Sequence, residues 1–544
     1  MSEIKKENFT EEQLRERIAH RDEYTNKDKI KMAKVWWREQ KPEDRVKNTD
    51  EVPFRLSELE AQAESIRCMD CIKKNCIAGC PVAIDVPAML RLVAEGDFRG
   101  AVRKMKETNV LPAITGRVCP QETQCQAVCL MSKAHKSTDE AVSIGKVEAF
   151  LADWERENGV EIPECAPATG KKIAIIGGGP AGLTCAADLA RQGHGVTILE
   201  AFHKLGGVLV YGIPEFRLPK KIVEAEIGIL GEMGVKFEPN VVVGQTVTID
   251  ELLDEEGYDA VFVATGAGLP WFMDLPGEDL NGVYSANEYL TRANLMNAYK
   301  YGTEADTPIA DSKRLAVVGG GNVAMDAART AIRLGVPEVL LVYRRTEAEM
   351  PARLEEIHHA KEEGVQLHLL TSPVEYTGND KGFVTGMKLQ RMELGEPDGS
   401  GRRRPVPIEG AIEDFDVDTV VVSIGNGANP LIPRTTPGLE TNERKGTIVV
   451  DFERFMTSRP AVFAGGDIVV GASTVIMAMG HGRTAAASIH QYLEDGEWSS
   501  NGETNCSGRS SPFSPGGATS PDCFPPSQNY SPAPRATLFA GSAG

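Results

Sequence analysis

The chain contains no apolar run of the ~18 residues that a membrane-spanning helix needs. Its opening, MSEIKKENFT, is charged and has no apolar centre of the kind a secretion signal carries. Positive charge is also in deficit: 59 Lys and Arg face 78 Asp and Glu, a net charge of −19. That balance argues against a nucleic-acid-binding surface as the main function. Together these absences predict a cytoplasmic protein with neither membrane nor nucleic acid as partner. Cysteine is scarce outside one window, for seven of the eleven lie between Cys68 and Cys129. In a reducing compartment such clustering predicts metal ligands rather than disulfides.

What is present begins with size. A chain of 544 residues is too long for one core and predicts about three domains. The stretch that organises it is Lys171 to Ala201, KKIAIIGGGPAGLTCAADLARQGHGVTILEA. An apolar run from Ile173 to Ile176 precedes Gly177, Gly179 and Gly182 in G-x-G-x-x-G spacing, and a helical segment and a second apolar run ending at Glu200 follow. Strand, turn, helix and strand in that order form a dinucleotide fingerprint. The first glycine permits the turn, the second admits a pyrophosphate to the backbone, and the third lets helix and strand pack. The helix start offers free N–H groups to phosphate, and Glu200 offers a carboxylate to a ribose hydroxyl. A glycine turn alone is weak evidence; the full unit with its closing acid is strong.

A second fingerprint runs from Leu315 to Arg345, with Gly319, Gly321 and Ala324 as G-x-G-x-x-A. Here the closing acid is missing and Tyr343-Arg344-Arg345 stands in its place. A carboxylate would repel a 2′-phosphate and an arginine pairs with it, so this site is expected to take NADP(H), leaving FAD to the first.

The N-terminal region is expected to be helical. Thr10 with Gln13 resembles a capping box, helical composition runs from Glu11 to about Glu39, and a second stretch runs from Leu56 to about Ile66. Trp36 and Trp37 are expected to be packing anchors. The cysteines follow as Cys68-x2-Cys71-x4-Cys76-x3-Cys80-Pro81, then Cys119-Pro120, Cys125 and Cys129. Short spacing converges thiolates on one centre, and a cysteine before proline often serves a neighbouring cluster. Structural zinc is the other reading. Seven thiolates are one short of two four-cysteine clusters, so two clusters would require a ligand of another type.

RCMDC, GCPV, GRVCPQETQCQAVC and the GGGPAGL turn resemble the small, electron-input subunit of NADPH-dependent glutamate synthase. They are equally similar to the large subunit of NADH-dependent ferredoxin:NADP oxidoreductase and the N-terminal half of dihydropyrimidine dehydrogenase. The resemblance spans roughly Ser65 to Leu493. It implies two [4Fe-4S] clusters in an N-terminal helical domain, one on Cys68, Cys71, Cys76 and Cys129, the other on Cys80, Cys119 and Cys125. The family's remaining ligand lies in an Ile-Gly-x-x-Glu/Gln pattern, which Ile144-Gly145-Lys146-Val147-Glu148 matches, making Glu148 the candidate. The resemblance also sets Leu205 to Pro219, Gly207 included, beside the flavin, and Asp467 of AVFAGGD on its ribityl chain. His481 is expected to be structural, since hydride transfer between cofactors needs no side-chain acid.

The expected fold is α/β: a helical iron–sulfur domain (1–165), an FAD domain in two parts (166–298 and 430–498), an inserted NADP(H) domain (299–429) and a Ser/Pro/Gly-rich disordered tail (499–544). The expected activity is hydride transfer between NADP(H) and FAD, with single electrons passing through the clusters to a partner. That partner is a glutamate synthase large subunit, or else a ferredoxin or flavin-bearing subunit, in a hetero- or homo-oligomer; sulfide dehydrogenase is a further alternative. A non-catalytic, cluster-bearing assembly subunit is the alternative of another class, and the intact second fingerprint opposes it.

Overall fold

A computed structural model describes residues 9–399 and 401–498; the expected tail lies outside them. Helices dominate up to Asn158, and they are short because cap residues recur. Thr10 and Gln13 form a capping box on Glu11–Ala19, Thr25 and Asp28 another on Asn26–Lys31, and Ser57 and Glu60 a third on Glu58–Ser65. The single helix expected from Glu11 to about Glu39 is thus two. The Thr25 hydroxyl and the Asp28 carboxylate satisfy backbone N–H groups at a new helix start, which ends the first helix early. Four further helices, Val86–Glu95, Phe98–Lys106, Pro112–Val118 and Ile144–Asn158, enclose Met89, Leu90, Met105, Ile114, Phe150 and Leu151. Two of them cross at glycines: a Cβ on Gly116 would sit 2.6 Å from the Ala149 nitrogen.

Two Rossmann-like parallel sheets follow. The first has the order Val462–Ala464, Ala260–Val263, Lys172–Ile176, Gly195–Glu200, Lys236–Pro239. The second has the order Val283–Ser285, Thr419–Val422, Arg314–Val318, Glu338–Tyr343, Gln366–Leu369. The central strands of both are continuous apolar runs, as expected of sheets covered on both faces. Strand Val462–Ala464 pairs with Ala260–Val263, so the chain builds the whole second sheet before completing the first. An antiparallel sheet, Thr371–Gly378 with Val384–Pro397 and Arg403–Asp416, extends from the second. The closing helix, Val475–Asp495, lies on Pro180–Arg191, and a Cβ on its Gly482 would meet the Ala181 carbonyl at 2.3 Å.

A buried ionic network holds the second sheet's helices against the rest. Glu363 accepts from Arg45 Nε at 2.7 Å, Arg329 Nη2 at 2.7 Å and Arg333 Nη1 at 2.7 Å. Arg217, in the loop after the first fingerprint, pairs with Asp326 at 2.7 Å and Glu356 at 3.0 Å, and Arg329 also pairs with Glu356. Arg353 reaches back to the Arg117 carbonyl at 3.2 Å and Gln121 at 3.2 Å. Charges this deeply buried persist only when mutually paired.

Replacing Glu363 by Ala takes the carboxylate from Arg333 and leaves Arg329 and Arg45 with one partner each, Glu356 and Glu362, and is expected to cost about 3–5 kcal/mol, read as a lower urea midpoint. Burial alone would raise the Glu363 carboxyl, but Arg329 and Arg333 overcome it and hold the group well below the usual carboxylate range. A depressed folded pKa stabilises fully above the unfolded value of about 4.3, and that contribution is lost as pH falls below it. Wild type should therefore lose stability below about pH 4 more steeply than Glu363→Ala.

Candidate functional site

At the first turn the three glycines do different work. Gly177 takes φ +107°, and a Cβ there would lie 2.5 Å from the Ala264 carbonyl oxygen. A Cβ on Gly182 would lie 2.0 Å from the Gly177 oxygen. Gly179 has no atom within 4 Å of where its Cβ would stand, which leaves room before the helix start. A Cβ on Gly207 would approach the Gly179 Cα at 3.1 Å, and Gly206 N donates to Gly178 O at 2.8 Å, so the 205–219 loop lies against the turn. Glu200 accepts from Gly178 N at 2.8 Å and Phe202 N at 2.9 Å, and burial pushes its carboxyl up. Asp467 accepts from Ser473 Oγ at 2.7 Å. Burial pushes the Tyr211 phenol up to about 12, and Asp467 and Glu200 both add to the rise, so all three face one region. The Thr265 hydroxyl, on the residue that lies against Gly177, is buried without a protein partner. Open glycine, unpartnered hydroxyl and converging acids fit a phosphate- and ribose-bearing group.

The second turn repeats the construction. A Cβ on Gly319 would meet the Ser423 oxygen at 2.2 Å, Ala324 is fully buried, and only Pro351, 4.0 Å away, comes near a Cβ on Gly321. The Ser423 hydroxyl is buried and unpartnered, as Thr265 is. The two arginines diverge. Arg344 is exposed, whereas Arg345 is buried, donating from Nε to the Arg403 carbonyl at 2.7 Å and pairing with Asp398 at 2.6 Å. Arg345 thereby ties the strand end to Asp398 and Arg403.

The cysteines fall into two neighbourhoods. Burial pushes Cys68 up to about 11 and Cys76 up to about 12 and also raises Cys71, and the neighbouring Cys129 adds to the rise of all three. Burial likewise raises Cys80, Cys119 and Cys125, and Glu148 adds to all three. Cys80, Cys119, Cys125 and Glu148 line one small cavity with Thr115, Gln121 and Ile476. Packed neutral thiols become thiolates only when a cation compensates them, which fits a metal-bearing group. No three cysteine sulfurs of the described residues come within 4.8 Å of one another. Four thiolates on one zinc at about 2.3 Å would stand closer than that. The one set of three ligand-type groups that tight, among the described residues, is Glu39, Glu355 and His359. Lys146 at 3.2 Å and Arg353 at 3.0 Å already neutralise Glu355, so this set belongs to the ionic network.

Glu148 is buried, its Oε1 accepting from Asn109 Nδ2 at 2.8 Å and from the Thr115 hydroxyl, and burial pushes its carboxyl up to about 7. Gly145 explains its placement, since a Cβ there would strike Gln121 Nε2 at 2.1 Å. Sequence reasoning missed Asn109 and Thr115, which lie far from Glu148 in sequence and carry no motif. His481 accepts from Gly466 N at 3.2 Å, and burial lowers it to about 4. It is a neutral brace for the loop before Asp467.

This geometry defines a two-dinucleotide oxidoreductase with a cysteine-rich helical region. Residues 171–482 match the pyridine nucleotide-disulphide oxidoreductase family, and residues 45–160 match the family described as dihydropyrimidine dehydrogenase domain II, 4Fe-4S cluster. The glutamate synthase [NADPH] small chain of Halomonas elongata is 39% identical over 448 residues, covering 81% of this chain and 92% of that one. Putative oxidoreductase AegA of Escherichia coli is 39% identical over 454 residues, covering 81% and 67%. Among solved structures, Mycobacterium tuberculosis FprA in complex with NADPH superposes with a TM-score of 0.50 at 25% identity, covering 62% and 87%. The chain belongs to the pyridine nucleotide-disulphide oxidoreductases, within a group of NAD(P)H- and FAD-dependent enzymes related to the glutamate synthase small subunit. No helix of the described residues is long and apolar enough to cross a membrane.

Proposed function

We propose that the chain is an electron-input subunit of the glutamate synthase type, with FAD at the first turn, NADP(H) at the second and two [4Fe-4S] clusters on the helical region. Bound there, FAD joins two-electron hydride chemistry to one-electron cluster chemistry, and the protein positions and tunes the groups. Gly177, Gly179, Gly182 and Gly207 leave the backbone open to the FAD pyrophosphate, with Glu200 and Asp467 on its hydroxyl groups. Gly319, Gly321 and Ala324 do the same for NADP(H). Arg344 faces the 2′-phosphate, and Arg345 holds the 398–403 turn beside it. Cys68, Cys71, Cys76 and Cys129 hold one cluster; Cys80, Cys119, Cys125 and Glu148 hold the other.

One observation supports this reading most. The cavity of Cys80, Cys119, Cys125 and Glu148 is also lined by Ile476, at the start of the helix whose Gly482 packs on Ala181 of the first fingerprint. The inner cysteine group thus abuts the element that supports the FAD site. Near-complete coverage of a glutamate synthase [NADPH] small chain favours that enzyme's large subunit as partner over a ferredoxin or another flavin-bearing subunit.

Anaerobic NADPH should bleach both flavin and cluster absorbance of the purified protein; an absorbance that NADPH leaves unchanged rejects the reading. Iron and acid-labile sulfide analysis should give about eight of each per chain, whereas a zinc protein would give almost no sulfide. Glu148→Ala should alter the paramagnetic resonance signal of one cluster and spare the other; an unchanged spectrum removes Glu148 from the ligands.

Arg344→Ala removes a charge-assisted contact worth roughly 1.5–3 kcal/mol, so the NADPH dissociation constant should rise about tenfold or more. NADH, without a phosphate there, should bind as before. Arg345→Ala should weaken NADPH less, through the loosened turn. Stopped-flow flavin reduction with each coenzyme measures all three, and a wild type that already prefers NADH ends the NADP assignment.

A further inference from the structure

Each parallel sheet flanks its fingerprint strand in the same way. Gly195–Glu200 lies on one side of Lys172–Ile176 and Ala260–Val263 on the other, just as Glu338–Tyr343 and Thr419–Val422 lie on either side of Arg314–Val318. A dinucleotide lies across the C-terminal ends of such strands. With its adenosine half at Glu200 or at Arg344, its other half extends over the exit of Ala260–Val263 or of Thr419–Val422. Those exits also receive the first glycine of each turn, since a Cβ on Gly177 would meet Ala264 and one on Gly319 would meet Ser423.

The chain joins the two exits directly. Leu269–Pro270, which follows Ala260–Val263, pairs antiparallel with Asn426–Gly427, which follows Thr419–Val422. Trp271 N donates to the Gly425 carbonyl at 3.0 Å. The indole then lies along this ribbon: a Cβ on Gly425 would stand 3.9 Å from Cδ1, at one end of the ring system, and a Cβ on Gly427 would stand 2.7 Å from Cζ2, at the other. Gly427 pairs with Leu269, so the ring runs from the exit beside the second turn toward the exit beside the first. Although it rests on backbone, Trp271 is 49% exposed. An aromatic ring held on one side and open on the other offers a face to a second ring.

We propose that Trp271 is a positioning residue whose open face stacks on the nicotinamide of NADP(H) and holds it between the second turn and the flavin. The inference rests on the reading that NADP(H) occupies the second turn and FAD the first. Offset stacking of aromatic rings is a modest attraction, so the indole adds little to affinity. Hydride passes only between groups already in contact and aligned, so fixing the ring acts mainly on the rate of transfer. The adenosine half, on the far side of Arg314–Val318, is independent of the indole.

The test uses the holoprotein and two binding probes: NADP+, and adenosine 2′,5′-bisphosphate, which carries the phosphate-bearing adenosine half and no nicotinamide. Trp271→Leu keeps apolar volume over Gly427 and removes the aromatic face, whereas Trp271→Phe keeps a face. Calorimetric titration should give Trp271→Leu the wild-type dissociation constant for the bisphosphate and one several-fold higher for NADP+. Stopped-flow flavin reduction at saturating NADPH should be about tenfold slower in Trp271→Leu, and Trp271→Phe should recover most of the loss. Equal weakening of both probes overturns the proposal, because the ring would then only brace the turn. A wild-type limiting rate in Trp271→Leu, with the bisphosphate still bound, rejects the stacking and leaves the NADP(H) reading standing. Wild-type protein that binds neither probe rejects that reading and this inference with it.

Discussion

The shared carboxylate of Glu363 is the contact on which the placement of the second sheet depends. Three guanidinium groups meet it out of water, and one of them, Arg45, comes from the N-terminal region. A hydrophobic junction of the same size would be equally stable or more so. Charges, however, tolerate few registers, because a small slide leaves a buried cation without its partner. Arg217 adds the second constraint, since it lies in the loop packed on the first turn yet pairs with Asp326 and Glu356 near the second. The relative position of the two turns is therefore set by ion pairs that no local sequence pattern announces.

Close approach by glycine supplies the complementary constraint. Gly182 on Gly177, Gly482 on Ala181, Gly480 on Pro81 and Gly145 on Gln121 each admit a neighbour where a Cβ would sit within 3 Å of it. The first belongs to the dinucleotide fingerprint. The others chain together the first turn, the closing helix, the loop after Cys80 and the helix bearing Glu148. One device thus couples the nucleotide fold to the cysteine-rich region, and the spacing of the inner cysteines from the first turn follows from it.

The sequence made the two strand–turn–helix–strand units legible because their signals are local: an apolar run, glycines at fixed offsets, and a closing acid or its replacement. The Thr10 capping box was legible for the same reason, whereas the box at Thr25, which breaks the long helix that composition suggested, was not. The helix containing Glu148 was found through its Ile-Gly-x-x-Glu pattern. What remained hidden depends on contacts between distant stretches. Nothing near Arg345 in sequence shows that Asp398 neutralises it, so two adjacent arginines appear equivalent when one is exposed and one is tied down. Asn109 and Thr115, which hold the Glu148 carboxylate, are similarly silent, and so is the exposure of Trp271.

The two cysteine neighbourhoods differ in how far they are enclosed. The inner one is enclosed, its thiols are raised by burial and by a carboxylate, and the chain offers only buried neutral donors, Asn109 and Thr115, to that carboxylate. Negative charge is costly there. The outer cysteines, Cys68, Cys71, Cys76 and Cys129, are all half-buried, as is Cys80 of the inner set, and Lys29 is bonded to the Cys68 carbonyl. Negative charge is costly there too, for burial raises Cys68, Cys71 and Cys76, and Asp70 adds to the rise of Cys68 and Cys71. Cys125 is raised by Cys76 of the outer group as well as by its own set, so the two neighbourhoods are adjacent rather than separate sites.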